Sequence, residues 1–247
     1  DNFGRTSSNG WGTADLSGAW STANGSAGDY SVGSGVGKHA IGTLGVRRFT
    51  YVGTGFVDAN VVMSISCPTL ITGPTSGVTV VFAGVHCRYI DVDNHYRAEI
   101  SFDIDGYING FGLFKRVAGV TTGLGIFSGA LGYLPYAAGQ QYKLRLEATG
   151  NTIRTKLWPV TGIEPVAWMI SVTDTALTAA GAVGAHTAAD AGVTNTLPVT
   201  VNFDTLMCTG SVSSTTTTTS GSYVRLTNTF TASQPRHTVT VCTIGTA

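Results

Sequence analysis

The sequence has little charge: 11% of its 247 residues are Asp, Glu, Lys or Arg, and 14 basic residues balance 14 acidic ones. A surface so neutral releases few phosphate counterions, which argues against nucleic acid as a partner and against an electrostatic membrane anchor. No run of about 18 apolar residues occurs, so no transmembrane helix is expected. The four cysteines (Cys67, Cys87, Cys208, Cys242) show no CxxC spacing, which removes the usual zinc frameworks. Cys67–Cys87 with Cys208–Cys242 is the local disulfide pairing, and buried free thiols fit the sequence equally well. The five histidines (39, 86, 95, 186, 237) form no HxH or HExxH pattern, and no GxSxG, Walker or strand-to-helix GxGxxG motif is present. The chain begins at Asp1 with neither Met nor a signal-peptide core, which points to a processed form or a segment of something longer.

Lys and Glu, good helix formers, are scarce, whereas Gly (33 residues), Ser and Thr abound. Alternation with period 2 marks strands over 59–66, 79–83, 87–92, 95–104, 108–116, 124–128, 141–148, 152–158, 166–172, 182–188 and 199–207. "DGYING" (105–110) and "ATGN" (148–151) read as tight turns between antiparallel neighbours. One helical turn is expected in "TDTALTAAG" (173–181), with Asp174 as its N-cap. Regular antiparallel strands without βαβ spacing imply an all-β, two-sheet antiparallel jelly-roll sandwich. Residues 1–208 form that domain, 209–221 a Ser/Thr-rich linker, and 222–247 a C-terminal β-hairpin extension. A lone hairpin is marginal in water, so it must dock on its own domain or on another chain.

The acids crowd into "YIDVDNHYRAEISFDID" (89–105). Along this strand Tyr96, Ala98, Ile100, Phe102 and Ile104 face a core, and His95, Arg97, Glu99, Ser101, Asp103 and Asp105 face water. A jelly-roll glucanase would carry a Glu-x-Asp-x-(x)-Glu array here, but Ser101 follows Glu99 at the helper position. Glu99 and Asp103 lie roughly 13 Å apart along a strand, too far for either glycosidase geometry. Asp103 and Asp105, roughly 7 Å apart, flank a Gly turn where acids are commonplace. "DVDNH" (91–95) lacks the Gly and distal Glu of an EF-hand, and Asx turns account for it. No catalytic residue is assigned. Trp11 and Trp20 are expected to cover an end of the sandwich, and Trp168, alternating with Ile170 and Val172, to lie in the core.

"DNFGRTSSNGWGTADLSGAW" (1–20), "DYSVGSGVGKHAIGTLGVRR" (29–48), "YIDVDNHYRAEISF" (89–102), "GLFKRVAGVTT" (112–122) and "EPVAWMISVTDTALTAAGAVG" (164–184) resemble the concanavalin A-like (laminin G-like) jelly-roll domain of actinobacteriophage minor tail proteins. The resemblance runs in order from Asp1 to about Asp204. It implies a non-enzymatic module on a virion tail or in the extracellular space, contacting host-envelope polysaccharide. It also suggests that the first and last strands are neighbours, which makes Asp1 and Asp204 a candidate calcium pair. Sugars need ring faces and planar polar groups. Tyr89, His95, Arg97, Glu99 and Tyr107 are the candidate glycan-binding residues, although an ordinary solvated sheet face explains the same letters. A structural virion or filament subunit, oligomeric through its hairpin, is the alternative reading. A secreted carbohydrate-binding module or an unusual glycosidase is the weaker one.

Overall fold

The computed structural model describes residues 1–15, 18–127 and 134–212, so the 222–247 hairpin and positions 213–221 of the linker lie outside the described residues. Among the described residues, sixteen strands form two antiparallel sheets. In chain order they are β1 (Ser7–Ser8), β2 (Ser21–Ala23), β3 (Tyr30–Gly33), β4 (Val36–Ile41), β5 (Arg48–Phe56), β6 (Ala59–Ser66), β7 (Val80–Asp91) and β8 (Asn94–Asp103). Then come β9 (Tyr107–Val117), β10 (Val120–Ile126), β11 (Leu134–Pro135), β12 (Tyr142–Thr149), β13 (Thr152–Pro159), β14 (Ile170–Thr173), β15 (Gly181–Ala189) and β16 (Val199–Thr209). The first sheet runs β1-β3-β4-β16-β6-β12-β13-β14, and the second β10-β9-β8-β7-β15-β5-β2, with β11 paired to the start of β9. This is an all-β jelly-roll sandwich, as the alternation implies.

Between the sheets, Val61, Met63 and Ile65 of β6 and Leu144 and Leu146 of β12 pack over β7 and β8, which contribute Val81, Ala83, Val85, Ala98, Ile100 and Phe102. A second cluster, Phe3, Trp11, Trp20, Tyr30, His39 and Phe203, fills the core near β3, β4 and β16, with Trp11 wholly buried. Gly37 makes room for it, since a Cβ there would lie 2.9 Å from the Phe3 and Trp11 rings. Cys67, Cys87 and Cys208 are free thiols, which resolves the choice for the first pair in favour of thiols.

Several expectations need correction. Five strands precede Ala59, where Gly- and Ser-rich sequence masks the alternation. The segments 79–83 and 87–92 are one strand, β7, carried through a bulge at Arg88. There is no helical turn at 173–181; Asp174 Oδ1 instead accepts from Ala176 N (2.9 Å) and Tyr96 Oη (2.6 Å). Trp168 is not core. It lies half-buried beside the first sheet, and Arg154 (4.4 Å), Lys156 (4.7 Å) and Arg145 (5.8 Å) sit over its ring.

The resemblance places the chain's beginning beside its last jelly-roll strand, and that contact exists: Leu206 N donates to Asp1 O (2.9 Å). The residues there do not fit calcium. Asp1 Oδ1 accepts from Arg5 Nη1 (2.8 Å) and Phe3 N (3.0 Å), and Oδ2 from Arg5 Nη2 (2.9 Å) and Trp20 Nε1 (2.7 Å). A guanidinium and an indole thus take the lone pairs a divalent ion would need. Asp204 Oδ1 accepts from Thr205 Oγ1 (2.9 Å), and no group of three or more metal-ligating side chains is found among the described residues.

Candidate functional site

β8 alternates as its sequence demands, with Tyr96, Ala98, Ile100 and Phe102 in the core. The opposite face is the correction that matters most. His95, Arg97, Glu99, Ser101 and Asp103, expected in water, are all buried; Arg97 is 4% exposed and Glu99 6%. Period 2 tells which face a side chain takes and is silent about what covers that face.

The covering comes from neighbouring strands. Cross-strand pairing sets Gly184 opposite His86 and His186 opposite Gly84, on β15 and β7. A Cβ on Gly84 would fall 2.0 Å from Ala98 O and 2.7 Å from His186 Cε1. One on Gly184 would fall 1.9 Å from Thr50 O and 2.9 Å from His86 Nε2. Each imidazole therefore lies over the glycine of the facing strand, and both are fully buried. At the bulge Arg88 has φ +45°, and its guanidinium donates to carbonyls of Val57, Leu177 and Gly150. The bulge shifts the side-chain phase, so Tyr89 joins His86 (ring centroids 4.7 Å apart) three residues earlier. Phe49, Tyr51, His95 and His186 complete this aromatic patch.

At its side lies an ionic group centred on Glu99. Glu99 Oε2 accepts from Arg47 Nη1 and from His186 Nε2 (3.1 Å), and Arg97 Nε stands 3.4 Å away. Burial alone would raise the Glu99 carboxyl, but Arg47, His186 and Arg97 outweigh it and hold it well below the usual carboxylate range. Burial pushes His186 down to about 4 and His95 to about 3, so both are neutral at pH 7. His95 Nδ1 faces Asp91 O (3.3 Å) and Nε2 faces Arg97 Nη1 (3.4 Å). A neutral ring protonated on Nδ1 satisfies both contacts.

Above this layer opens a cavity of about 380 Å³, lined by Asn24, Arg47, Phe49, Val92, Asp93, Arg97, Arg116 and Thr121. Its rim is built by the β7–β8 and β9–β10 hairpins. Asp91 Oδ1 caps the first turn by accepting from Asp93 N (2.8 Å), the expected Asx turn. Asp93 Oδ1 then accepts from Arg116 Nη2 (2.9 Å), and Arg116 Nη1 donates to Thr121 Oγ1 (3.1 Å).

Of the five glycan-site candidates, the fold gathers Tyr89, His95, Arg97 and Glu99, but only Arg97 lines the cavity; Glu99 lies under the arginines as their counter-ion. Tyr107, 37% exposed, precedes Phe114 on β9 by seven residues, roughly 23 Å of strand, and lies outside the patch. Asp103 accepts from Gly77 N (2.6 Å), Ile104 N (2.6 Å) and Asn109 Nδ2, so it fastens a turn. Sequence reasoning missed Arg47, Phe49, Arg116 and the histidine convergence. Only the alternation of "RFTYV" at 48–52 hinted at the strand that brings the first two.

No family model and no curated protein matches this chain. Solved structures do. It is similar to a bifunctional GH43-CE protein of Bacteroides eggerthii, with 11% identity, a TM-score of 0.54, and 86% of this chain against 26% of that one covered. A putative beta-glucanase of Mycobacterium abscessus aligns at 12% identity and TM-score 0.49 over 84% of this chain and 97% of that one. The CBM2 module of the evolved Dit of Lactobacillus casei BL23 phage J-1 aligns at 11% identity and TM-score 0.48, over 72% and 77%. At such identities the likeness is one of fold, and the fold is that of a jelly-roll sandwich.

Proposed function

We propose that this chain is a non-enzymatic glycan-binding module, carried on a phage tail and directed at the host cell envelope. The observation that carries the binding reading is the cavity on the outer face of the second sheet. It brings the ring of Phe49, 1% exposed, together with planar hydrogen-bonding groups on Asn24, Arg97 and Arg116. Sugars are held by that combination, since their C–H faces pack on rings and their hydroxyls demand directed partners. The ordered resemblance of its sequence stretches to actinobacteriophage minor tail proteins supports the tail location.

The same geometry speaks against hydrolysis. Glu99 does not line this cavity but is the one carboxylate of a smaller neighbouring one, of about 150 Å³, and Asp93, the one carboxylate in the larger lining, is engaged by Arg116. A glycosidase needs two carboxyl groups flanking the scissile bond, one of them able to donate a proton. Asp190 has a carboxyl raised by burial and then by the Glu99 charge, but it does not line this cavity.

The test is retention of the full chain on immobilised envelope polysaccharide, with reducing-end release followed in parallel. Retention without release is expected, together with labelling of virion tails by antibodies against the chain. No retention on any polysaccharide would overturn the binding reading, and release abolished by Glu99→Gln in a folded protein would overturn the non-enzymatic one.

A further inference from the structure

We propose that the cavity selects glycans bearing an anionic group, a carboxylate or a phosphate ester, which its arginines grip; this rests on the glycan-binding reading above. Three guanidiniums, Arg47, Arg97 and Arg116, line one space of about 380 Å³, within the range of small-molecule sites. Two carboxylates answer them, Glu99 beneath and Asp93 at the rim. The nearby His86, His95 and His186 are neutral, so the lining together with Glu99 carries one excess positive charge; Asp190, which feels Arg47, stands outside the lining.

Arg97 is where that excess shows. It is 4% exposed, yet its Nε makes no hydrogen bond, and its 3.4 Å from Glu99 Oε2, within ion-pair reach, is long for a charge-assisted hydrogen bond. Phe114 holds the guanidinium in place by its ring face, 5.1 Å from centroid to Cζ. A buried cation lacking full hydrogen bonding is costly to maintain, and burial accordingly lowers the Arg97 pKa to about 10. An anion entering the cavity would add a counter-charge beside this guanidinium. Planar forks suit the two oxygens of a carboxylate or phosphate, and Arg116, with its side chain 33% exposed, offers a second fork at the rim.

The experiment is calorimetric titration of the full chain with four probes: an oligogalacturonate, a phosphorylated oligomannoside, the matching neutral oligosaccharides, and inorganic phosphate. The charged oligosaccharides should bind at least tenfold more tightly than the neutral ones, and the advantage should shrink between ~0.05 and ~0.5 M salt. Which of the two charged probes binds tells carboxylate from phosphate. Arg116→Gln, at a half-exposed residue, should weaken charged ligands about tenfold without disturbing the buried layer, and Arg97→Gln more, provided it folds. Arg154→Gln, on the other sheet, should change nothing. Equal binding of neutral and charged sugars would overturn the anionic selection and leave the glycan reading standing. Phosphate binding that depends on Arg116, with no sugar bound, would overturn the glycan reading and keep the anion site. No binding of any probe would overturn both.

Discussion

Two histidines of this protein are buried to the same degree and live in opposite ways. His39 of β4 reaches from the first sheet to the second: its Nδ1 meets Thr187 Oγ1 and its Nε2 meets Thr50 Oγ1, both at 3.0 Å. Trp11, Tyr30 and Phe203 wall it in. His86 of β7, on the outer face, is also surrounded by rings, yet neither of its nitrogens has a hydrogen-bond partner, and His186 Nδ1 has none either. Burial lowers both rings well below the ordinary value. The difference teaches where each region spends its polarity. The core near His39 is closed and satisfied, whereas the outer layer holds unsatisfied polar atoms beneath a cavity.

The largest effect expected on this contrast comes from Glu99→Gln. It removes the anion beneath the buried Arg97 and the partly exposed Arg47, and leaving the buried cation unpaired should cost about 3–5 kcal/mol in denaturant unfolding. Acid comes next. His186 titrates near 4 when folded and near 6.5 when unfolded, so below pH 6.5 the unfolded chain binds protons that the native one refuses. Stability is therefore full above about pH 6.5 and declines as pH falls toward 4, on the order of 3 kcal/mol for this ring. His95 extends the decline toward 3, and thermal melts at stepped pH would follow it.

The two smaller effects separate the histidines directly. His39→Leu should cost about 1–3 kcal/mol, because the hydroxyls of Thr50 and Thr187 lose their partners in a dry core. His86→Leu, close in volume, removes two polar atoms that had no partner and should be neutral or stabilising by about 1 kcal/mol. Equal destabilisation of both variants in urea would show that the outer layer is satisfied after all, and would remove the contrast.

Much of the fold was legible in the sequence. β6 falls at the expected 59–66, and β12, β13 and β16 begin within a residue of their expected starts, because long alternating runs bounded by turn residues leave few other readings. The first 56 residues were not legible: their strands are short or broken by glycines such as Gly53 (φ +64°), which look like turns. The site was half legible. The order of faces on β8 follows from its letters, but the union of His86, His95 and His186 depends on which strands pair, and local sequence carries little of that. Tyr89 joins them only through the bulge at Arg88, and Trp168 left the core because three cations from β12 and β13 hold it outside.

The mutual seating of His86 on Gly184 and His186 on Gly84 has a consequence for how the chain finds its alignment. β7 and β15 are rich in small and β-branched residues that would tolerate sliding past each other. A slip of one position would turn the imidazole of the slipping strand into the apolar core. A slip of two would set a ring against a residue with a Cβ where only hydrogen now fits. The two glycines thus act as a pair of notches, and only the native alignment drops both rings into them. Substituting either glycine should leave a sheet able to settle in more than one alignment, with broadened resonances for β7 and β15.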